Sequence, residues 1–210
     1  MKTRRILFET ILIVTISLLG MWFLPAAKTL FALIPAAYLL IERCMRQRTW
    51  KELGFTISSF GVDLKANWVI FILLAVIIQP VIVVWAKTGF PAYLAHIQAR
   101  LPFETGISWG VLLPLLAFSL LSEEMTYRSL LQSRLTASIG APVAIVVVSL
   151  IFGLAHFAPG PAPVVLMDIG SIMLSSILYG VMFARRTNIW PVWLAHLLGD
   201  ISGLLALYSV

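Results

Sequence analysis

The most constraining feature of the sequence is a succession of apolar segments, each close to the length needed to cross a lipid bilayer. A helix that spans a hydrocarbon core of about 30 Å needs roughly 20 predominantly apolar residues. Seven segments meet or approach this length: Ile6–Leu24, Leu30–Ile41 with its flanks, Trp68–Ala86, Trp109–Ala137, Ala141–Ala158, Val164–Ala184 and Ile189–Leu207. We therefore predict an all-α fold, a polytopic transmembrane helix bundle with about seven spans.

The composition excludes several other classes of protein. The 210 residues are 60% hydrophobic and 11% charged, whereas a soluble domain carries about 25% charged residues. This excludes a water-soluble globular protein and a disordered chain. Cys44 is the only cysteine, so neither an internal disulfide nor a multi-cysteine metal site can form. The net charge of +6 does not indicate nucleic acid, because the basic residues lie at the ends of apolar segments, where they orient membrane spans. The expected surroundings are a lipid bilayer.

The distribution of basic residues predicts how the chain crosses the membrane. With the N-terminus inside, twelve of the 15 Lys and Arg residues fall on or near the inner side. The inner group comprises Lys2, Arg4, Arg5, Arg43, Arg46, Arg48, Lys51, Lys65, Arg128, Arg134, Arg185 and Arg186, and the outer group comprises Lys28, Lys87 and Arg100. Cytoplasmic loops carry the excess of Lys and Arg. We predict a multi-pass protein of the bacterial cytoplasmic membrane with a cytoplasmic N-terminus and an outer C-terminus.

The domain organisation follows from the spacing of the segments. Residues 1–210 are expected to form a single membrane domain, with spans one to three in residues 1–108 and spans four to seven in residues 109–207. The first apolar segment is longer than the 7–15 residues of a signal peptide, so we expect it to be retained as a span.

Ionisable side chains within membrane spans are costly and by default indicate a functional site. In the predicted spans these residues are Glu9, Glu123, Glu124, Arg128, His156, Asp168, His196 and Asp200. Glu9 follows the basic N-terminus by about one turn, so we expect it to be salt-paired at the interface. The other seven fall in spans four to seven.

The fourth and fifth spans predict a facing pair of polar side chains. Arg128 lies four residues after Glu124 and therefore on the same helical face, where the two charges can neutralise each other. Glu123 points about 100° away and lacks that partner. His156 and Glu123 are nearly equidistant from the breaker-rich turn at residues 138–142, which places them at the same depth of an antiparallel helical hairpin. We expect Glu123 and His156 to face each other.

The seventh span adds a second histidine. His196 and Asp200 are four residues apart, so they share a helical face. Counted from the basic residue Arg186, His196 falls within several ångströms of the depth of His156. We therefore predict that Glu123, His156 and His196 line one polar cavity.

Together these motifs resemble those of the CPBP family, which includes CAAX prenyl proteases, bacteriocin-processing enzymes and Abi-type membrane proteins. The resemblance covers roughly Trp109–Leu207, about half of the chain, and the stretch EEMTYRSLLQSRL is similar to the family's first motif. The matching positions, in order on successive late spans, are Glu123-Glu124-x-x-x-Arg128, Phe152-x-x-x-His156 and His196-x-x-x-Asp200.

The resemblance implies an intramembrane endopeptidase that acts on a peptide or a membrane-protein substrate. By motif, Glu123 would be the general base that activates water and His156 would hold that water. His196 and Asp200 would stabilise the oxyanion. Such chemistry is physically reasonable, because a desolvated glutamate is a stronger base and donors in a low dielectric stabilise a tetrahedral intermediate strongly.

The remaining motif positions imply support, and one position departs from the family. Glu124 and Arg128 would brace the site. The last position is most often Asn in the family, whereas this chain has Asp200. An ionised Asp would repel an oxyanion, so it would act either protonated or by orienting His196. Two histidines and a glutamate also match a catalytic zinc set, which would be Glu123, His156 and His196. We favour a metal-free site and keep zinc as the alternative.

Two rival functions are compatible with the sequence. One is a catalytically inactive membrane immunity or binding protein of the same fold. The other is an intramembrane aspartyl protease that uses Asp168 and Asp200, although neither aspartate has the flanking residues of that class.

Overall fold

The structure, a computed structural model, describes residues 2–101 and 107–209. Within these ranges the chain forms nine helices and no strand, which confirms the all-α prediction. The helices are α1 (Lys2–Phe23), α2 (Lys28–Met45), α3 (Phe60–Ala66), α4 (Trp68–Gly89), α5 (Pro91–Arg100), α6 (residues 109–139), α7 (Ala141–Ala155), α8 (Ala162–Arg186) and α9 (Ile189–Tyr208). Short 3₁₀ turns occupy Pro25–Ala27, Lys51–Leu53 and Ile57–Ser59.

Five helices are long and apolar enough to cross a membrane, as expected for a multi-pass membrane protein. They are Arg4–Phe23, Pro25–Met45, Trp68–Gly89, Ala162–Arg186 and Ile189–Tyr208. The other two predicted segments also form helices, α6 and α7. However, α6 carries several charges, and α7 has only 15 residues. The predicted count of about seven spans is therefore approximate.

Two boundaries differ from the sequence prediction. The second segment is longer than expected and forms the 18-residue helix α2, which accommodates Pro35 in its interior. The fifth is shorter, because α7 ends at Ala155 and His156 is its C-cap. Two prolines in the following connection, Pro159 and Pro161, disfavour helical backbone in the residues before them.

Helices α6 and α7 form the predicted antiparallel hairpin. Gly140 joins them with φ of +80°, in the left-handed region that favours glycine. Pro142 then lies in the first turn of α7, where a missing backbone N–H costs nothing. This hairpin fixes the relative depth of the polar side chains on the two helices.

A network of ion pairs joins the ends of three helices, and we call this side of the bundle the basic end. Glu42 is only 3% exposed and accepts hydrogen bonds from Arg134 at 2.8 and 2.9 Å and from Arg46 at 2.7 Å. Arg46 also pairs with Glu9, which accepts from Tyr38 as well. Glu9 is thus salt-paired near the end of α1, as the sequence indicates.

A short irregular stretch at the basic end, residues 50–59, packs against the bundle. We call it the cover segment. Its Leu53 is fully buried, and the Leu53 carbonyl accepts a hydrogen bond from Ser129 of α6 at 2.7 Å. The Thr56 carbonyl accepts from Asn188 at 2.8 Å, and the Gly54 carbonyl accepts from the backbone N–H of Ile189 at 2.8 Å. The cover segment therefore closes over the start of α9.

Small residues let the helices around the site approach closely. A Cβ atom on Gly199 of α9 would lie 2.7 Å from the Leu74 carbonyl oxygen of α4, and one on Gly153 of α7 would lie 3.1 Å from the Ile169 carbonyl oxygen of α8. Such contacts are typical of helix packing in membranes. Leu74 lies in a π-helical turn, Leu73–Ile77.

We expect the substitution Gly199→Ala to destabilise the bundle by about 1–3 kcal/mol, because its methyl group would overlap a backbone carbonyl that cannot rotate away. Gly170→Ala on α8 is the matched control. Among the described residues, no side chain or backbone of a packing neighbour lies within 4 Å of its Cβ position, so the helix should gain up to about 1 kcal/mol. Thermal unfolding in detergent micelles measures the stability of both variants. Equal unfolding midpoint temperatures for Gly199→Ala and Gly170→Ala would contradict the packing of α9 against α4.

Candidate active site

Helix α6 changes its geometry at the first motif. It is α-helical from Trp109 to Glu124, π-helical from Met125 to Gln132, and α-helical again from Ser133 to Ile139. All eight residues of the π-helical segment are buried. Because π-helical turns are rare and occur frequently at functional sites, this segment distinguishes the motif from the surrounding apolar helix. The sequence did not predict this segment, since residue periodicity carries no signal for a short π-helical stretch.

A buried ion pair follows directly after the general-base candidate. The Arg128 Nε donates to Glu124 Oε2 at 3.2 Å, and the two side chains are 0% and 1% exposed. Arg128 also donates to the Ser176 hydroxyl at 2.9 Å and to the Gln132 side-chain carbonyl at 3.3 Å. Gln132 in turn donates to the Gly180 carbonyl at 2.8 Å. The pair thus links α6 to α8.

His196 is held by Glu124. Its Nδ1 lies 2.7 Å from Glu124 Oε1, which accepts the hydrogen bond. Tyr179 stacks on the imidazole, with centroids 4.6 Å apart and an interplanar angle of 29°. Asp200 Oδ1 lies 4.0 Å from His196 Nε2, beyond hydrogen-bond distance. Glu124 therefore orients His196, where the sequence suggested Asp200 for this role.

Glu123 and His156 face each other across a short gap. Glu123 Oε2 lies 4.0 Å from His156 Nε2, and both side chains are 27% exposed. His156 Nδ1 lies 2.8 Å from the Phe152 carbonyl oxygen. Because a carbonyl only accepts, Nδ1 carries the proton, and in the neutral ring Nε2 is an acceptor that faces Glu123. Glu123 Oε2 is buried and has no hydrogen-bond partner in the described part of the chain.

Phe152 packs against both histidines. Its ring centroid is 4.6 Å from that of His156 and 6.1 Å from that of His196. Tyr127 packs edge-on against Phe152 at 4.8 Å and fixes its position. The aromatic ring is therefore a neighbour of both the Glu123–His156 pair and the Glu124–His196 pair.

The zinc alternative does not fit this arrangement. Across residues 2–101 and 107–209, no three His, Cys, Asp or Glu side chains come together as a metal-binding group. In the set considered from the sequence, Glu123, His156 and His196, each histidine uses its Nδ1 in a hydrogen bond, so Nε2 is the ring nitrogen left for other contacts.

Asp168 has other partners. It is 2% exposed, and its Oδ2 lies 3.2 Å from Arg100 Nε and 3.4 Å from His96 Nε2, both on α5. An aspartyl mechanism needs two carboxylates that share a proton, whereas Asp168 faces a guanidinium and an imidazole. The sequence does not predict the contact between α5 and Asp168, because nothing in the spacing shows where the connection between two spans folds back.

A comparison with protein-family models gives a match to part of the chain. The model described as Rce1-like, type II CAAX prenyl endopeptidase Rce1-like, matches residues 105–202. This confirms the resemblance to the CPBP/CAAX protease family. The match covers slightly less than half of the chain and includes all three motifs. Neither the curated proteins nor the solved structures give a significant match. At family level, the match indicates an intramembrane protease of the CAAX type.

We expect Glu124→Gln to destabilise the protein by about 3–5 kcal/mol, since it leaves Arg128 buried without its counter-charge. The adjacent substitution Glu123→Gln is the control, because Glu123 forms no hydrogen bond within the described residues. Thermal unfolding in detergent micelles should show a large loss for the first variant and little change for the second. If both variants unfolded at the same temperature, Glu124 would not be the structural member of the pair.

Proposed function

We propose that the protein is an intramembrane endopeptidase in which Glu123 activates the attacking water. The observation that carries this proposal is the gap between Glu123 Oε2 and His156 Nε2. At 4.0 Å it is too long for a direct hydrogen bond, yet one water molecule can bind both atoms across it. The partial exposure of both side chains supports access for water and substrate.

The proposed reaction begins with this water. One of its hydrogens is donated to His156 Nε2, which orients the oxygen, and the other passes to Glu123 as the oxygen attacks the scissile carbonyl carbon. The C–N bond of the tetrahedral intermediate then breaks, and Glu123 returns its proton to the leaving amine. The products are a carboxylic acid and an amine, and both catalytic side chains return to their starting states.

His196 is the proposed oxyanion donor. Its Nδ1–H is already used by Glu124, so it can donate to an oxyanion only through a protonated Nε2. Carboxylates beside both nitrogens favour the doubly protonated imidazolium, because opposite charges nearby stabilise the charged form. In this proposal Asp200 keeps His196 cationic and does not contact the oxyanion itself.

We further propose that residues 1–210 form one membrane domain whose residues 109–207 are the catalytic core. The four polar side chains of the proposed reaction come from α6, α7 and α9, within this range. The proposed substrate is a peptide or a segment of a membrane protein, since the site lies between helices of a membrane bundle.

The proposed orientation puts the basic end in the cytoplasm of a bacterial cell. It is supported by the ion pairs that bring the start of α1, the end of α2 and the end of α6 to the same side. The excess of basic residues on that side favours the cytoplasm.

Cys44 offers a direct check of orientation, because it is exposed near the end of α2. A membrane-impermeant maleimide should label it only after the cells are permeabilised. The control Cys44→Ser/Thr88→Cys carries its thiol at the end of α4, where Thr88 is exposed, and should be labelled in intact cells. The reverse pattern would invert the proposed orientation.

The proposed mechanism predicts that Glu123→Gln lowers the cleavage rate by about 10²–10⁴-fold or more while the protein still folds, because the amide cannot accept a proton from water. His156→Ala should lose activity similarly. The measurement compares the peptide termini of membrane proteins from cells that express each variant or the parent protein.

Asp168→Asn provides the contrast for the rival aspartyl mechanism. Cells that express Asp168→Asn should still contain the cleaved termini that the parent protein produces, since Asp168 contacts Arg100 and His96 of α5. If Asp168→Asn abolished cleavage and Glu123→Gln did not, the glutamate mechanism would be wrong. A biological effect that persisted unchanged in Glu123→Gln would favour a binding protein without turnover.

A further inference from the structure

The exposure of the site's side chains divides them into two groups. Glu124, Arg128 and His196 are at most 8% exposed, whereas the side chains of Glu123 and His156 are each 27% exposed and that of Asp200 is 29% exposed. The site is therefore closed on one side and open on another. The positions of the two groups along their helices show which side is open.

The more exposed group, which consists of Glu123, His156 and Asp200, lies on the side of the bundle away from the basic end. Helix α6 runs towards the basic end, so Glu123 precedes Glu124 on the far side. Helix α9 runs away from the basic end, so Asp200 lies one turn beyond His196 on the far side. His156 caps the far end of α7. Three helices thus give the same direction for the opening.

The depth of His156 agrees with this direction. Gly153 packs against Ile169 of α8, which lies seven residues from the start of that helix and 17 from its basic end at Arg186. At 1.5 Å per residue these separations are about 10 Å and about 26 Å. His156 is three residues further from the basic end than Gly153, so it lies close to the opposite surface.

On the basic side, the described residues form a closely packed layer. Between Glu124 and the cover segment lie Arg128, Leu130 and Gln132, which are at most 1% exposed. Ser129 is hydrogen-bonded to the cover segment through the fully buried Leu53. A polypeptide that approached from this side would have to displace both the ion pair and this packed layer.

The far side is bordered by irregular backbone and by α5. The connection of residues 157–161 follows His156 directly, and a Cβ atom on its Gly160 would lie 3.0 Å from His96 of α5. Tyr93 of α5 hydrogen-bonds to Ser171 of α8 at 3.1 Å. A loop and a short helix can move apart with less disruption than the packed layer at the basic end.

We propose that the site receives its substrate from the face opposite the basic end. With the basic end in the cytoplasm, the substrate class is a polypeptide segment in the extracytoplasmic half of the membrane, either an exported peptide or the outer part of a membrane-inserted chain. This inference rests on the proposed function and on the proposed orientation, but each can fail separately in the following experiments.

The first experiment measures access to the site without any substrate. Cys44→Ser/His156→Cys and Cys44→Ser/Asp200→Cys are each labelled with a membrane-impermeant maleimide in right-side-out and inside-out vesicles. Cys44 in the parent protein and the Cys44→Ser/Thr88→Cys variant report the orientation of the same vesicles. Two site variants are used so that the loss of one through misfolding still leaves a measurement.

The expected result is labelling of the site cysteines on the same face as Thr88→Cys and protection on the face of Cys44. Labelling on the face of Cys44, on both faces or on neither face would overturn the inference. None of these outcomes depends on whether Glu123 is a general base, so the opening is tested independently of the mechanism.

The second experiment identifies the face of the cleaved bonds. Termini that are present with the parent protein and missing with Glu123→Gln are assigned to the inner or outer segments of their membrane proteins. Outer positions support the inference, whereas inner positions overturn it and leave the proposed protease function intact. If no terminus depends on Glu123, the proposed function is wrong and the labelling pattern still decides the direction of opening.

Discussion

The buried carboxylate of Glu124 is the interaction on which the rest of the site depends. It accepts from Arg128 on one oxygen and from His196 on the other. A charge in a membrane interior is costly unless it is paired, so these three side chains stabilise one another and none can be removed alone without cost. Through Ser176, the same network connects α6 and α9 with α8. The contact that makes these charges tolerable therefore also sets the relative positions of three helices.

Adjacent glutamates have different surroundings because consecutive residues of a helix point about 100° apart. Glu124 is turned into the bundle, where it meets Arg128 and His196. Glu123 is turned towards His156, without a hydrogen bond in the described parts of the molecule. The π-helical segment begins immediately afterwards, and its Arg128 donates a hydrogen bond to Glu124. One residue thus secures the structure, and the other is left available for chemistry.

The sequence predicted the features that depend on one helix or one hairpin. The apolar segments predicted the helices, the four-residue spacing predicted the Glu124–Arg128 pair, and equal distances from the Gly140 turn predicted the facing of Glu123 and His156. The bond between Glu124 and His196 was not predictable, because it depends on how α9 packs against α6. The same holds for the approach of α5 to Asp168, which requires a long connection to fold back onto the bundle. Contacts between distant segments need the tertiary structure.

The balance of charge explains how the proposed chemistry can tolerate Asp200 where the related family most often has Asn. With His196 as an imidazolium, Arg128 and His196 offset the charges of Glu124 and Asp200, and Glu123 carries the remaining negative charge. When Glu123 accepts a proton from water, this charge moves to the oxyanion, beside His196. No new charge is created in the low-dielectric site, where doing so would be costly. An Asn at this position would leave His196 with one neighbouring carboxylate fewer and would therefore favour its imidazolium form less. In that case the Asn side-chain amide would have to donate the hydrogen bond to the oxyanion.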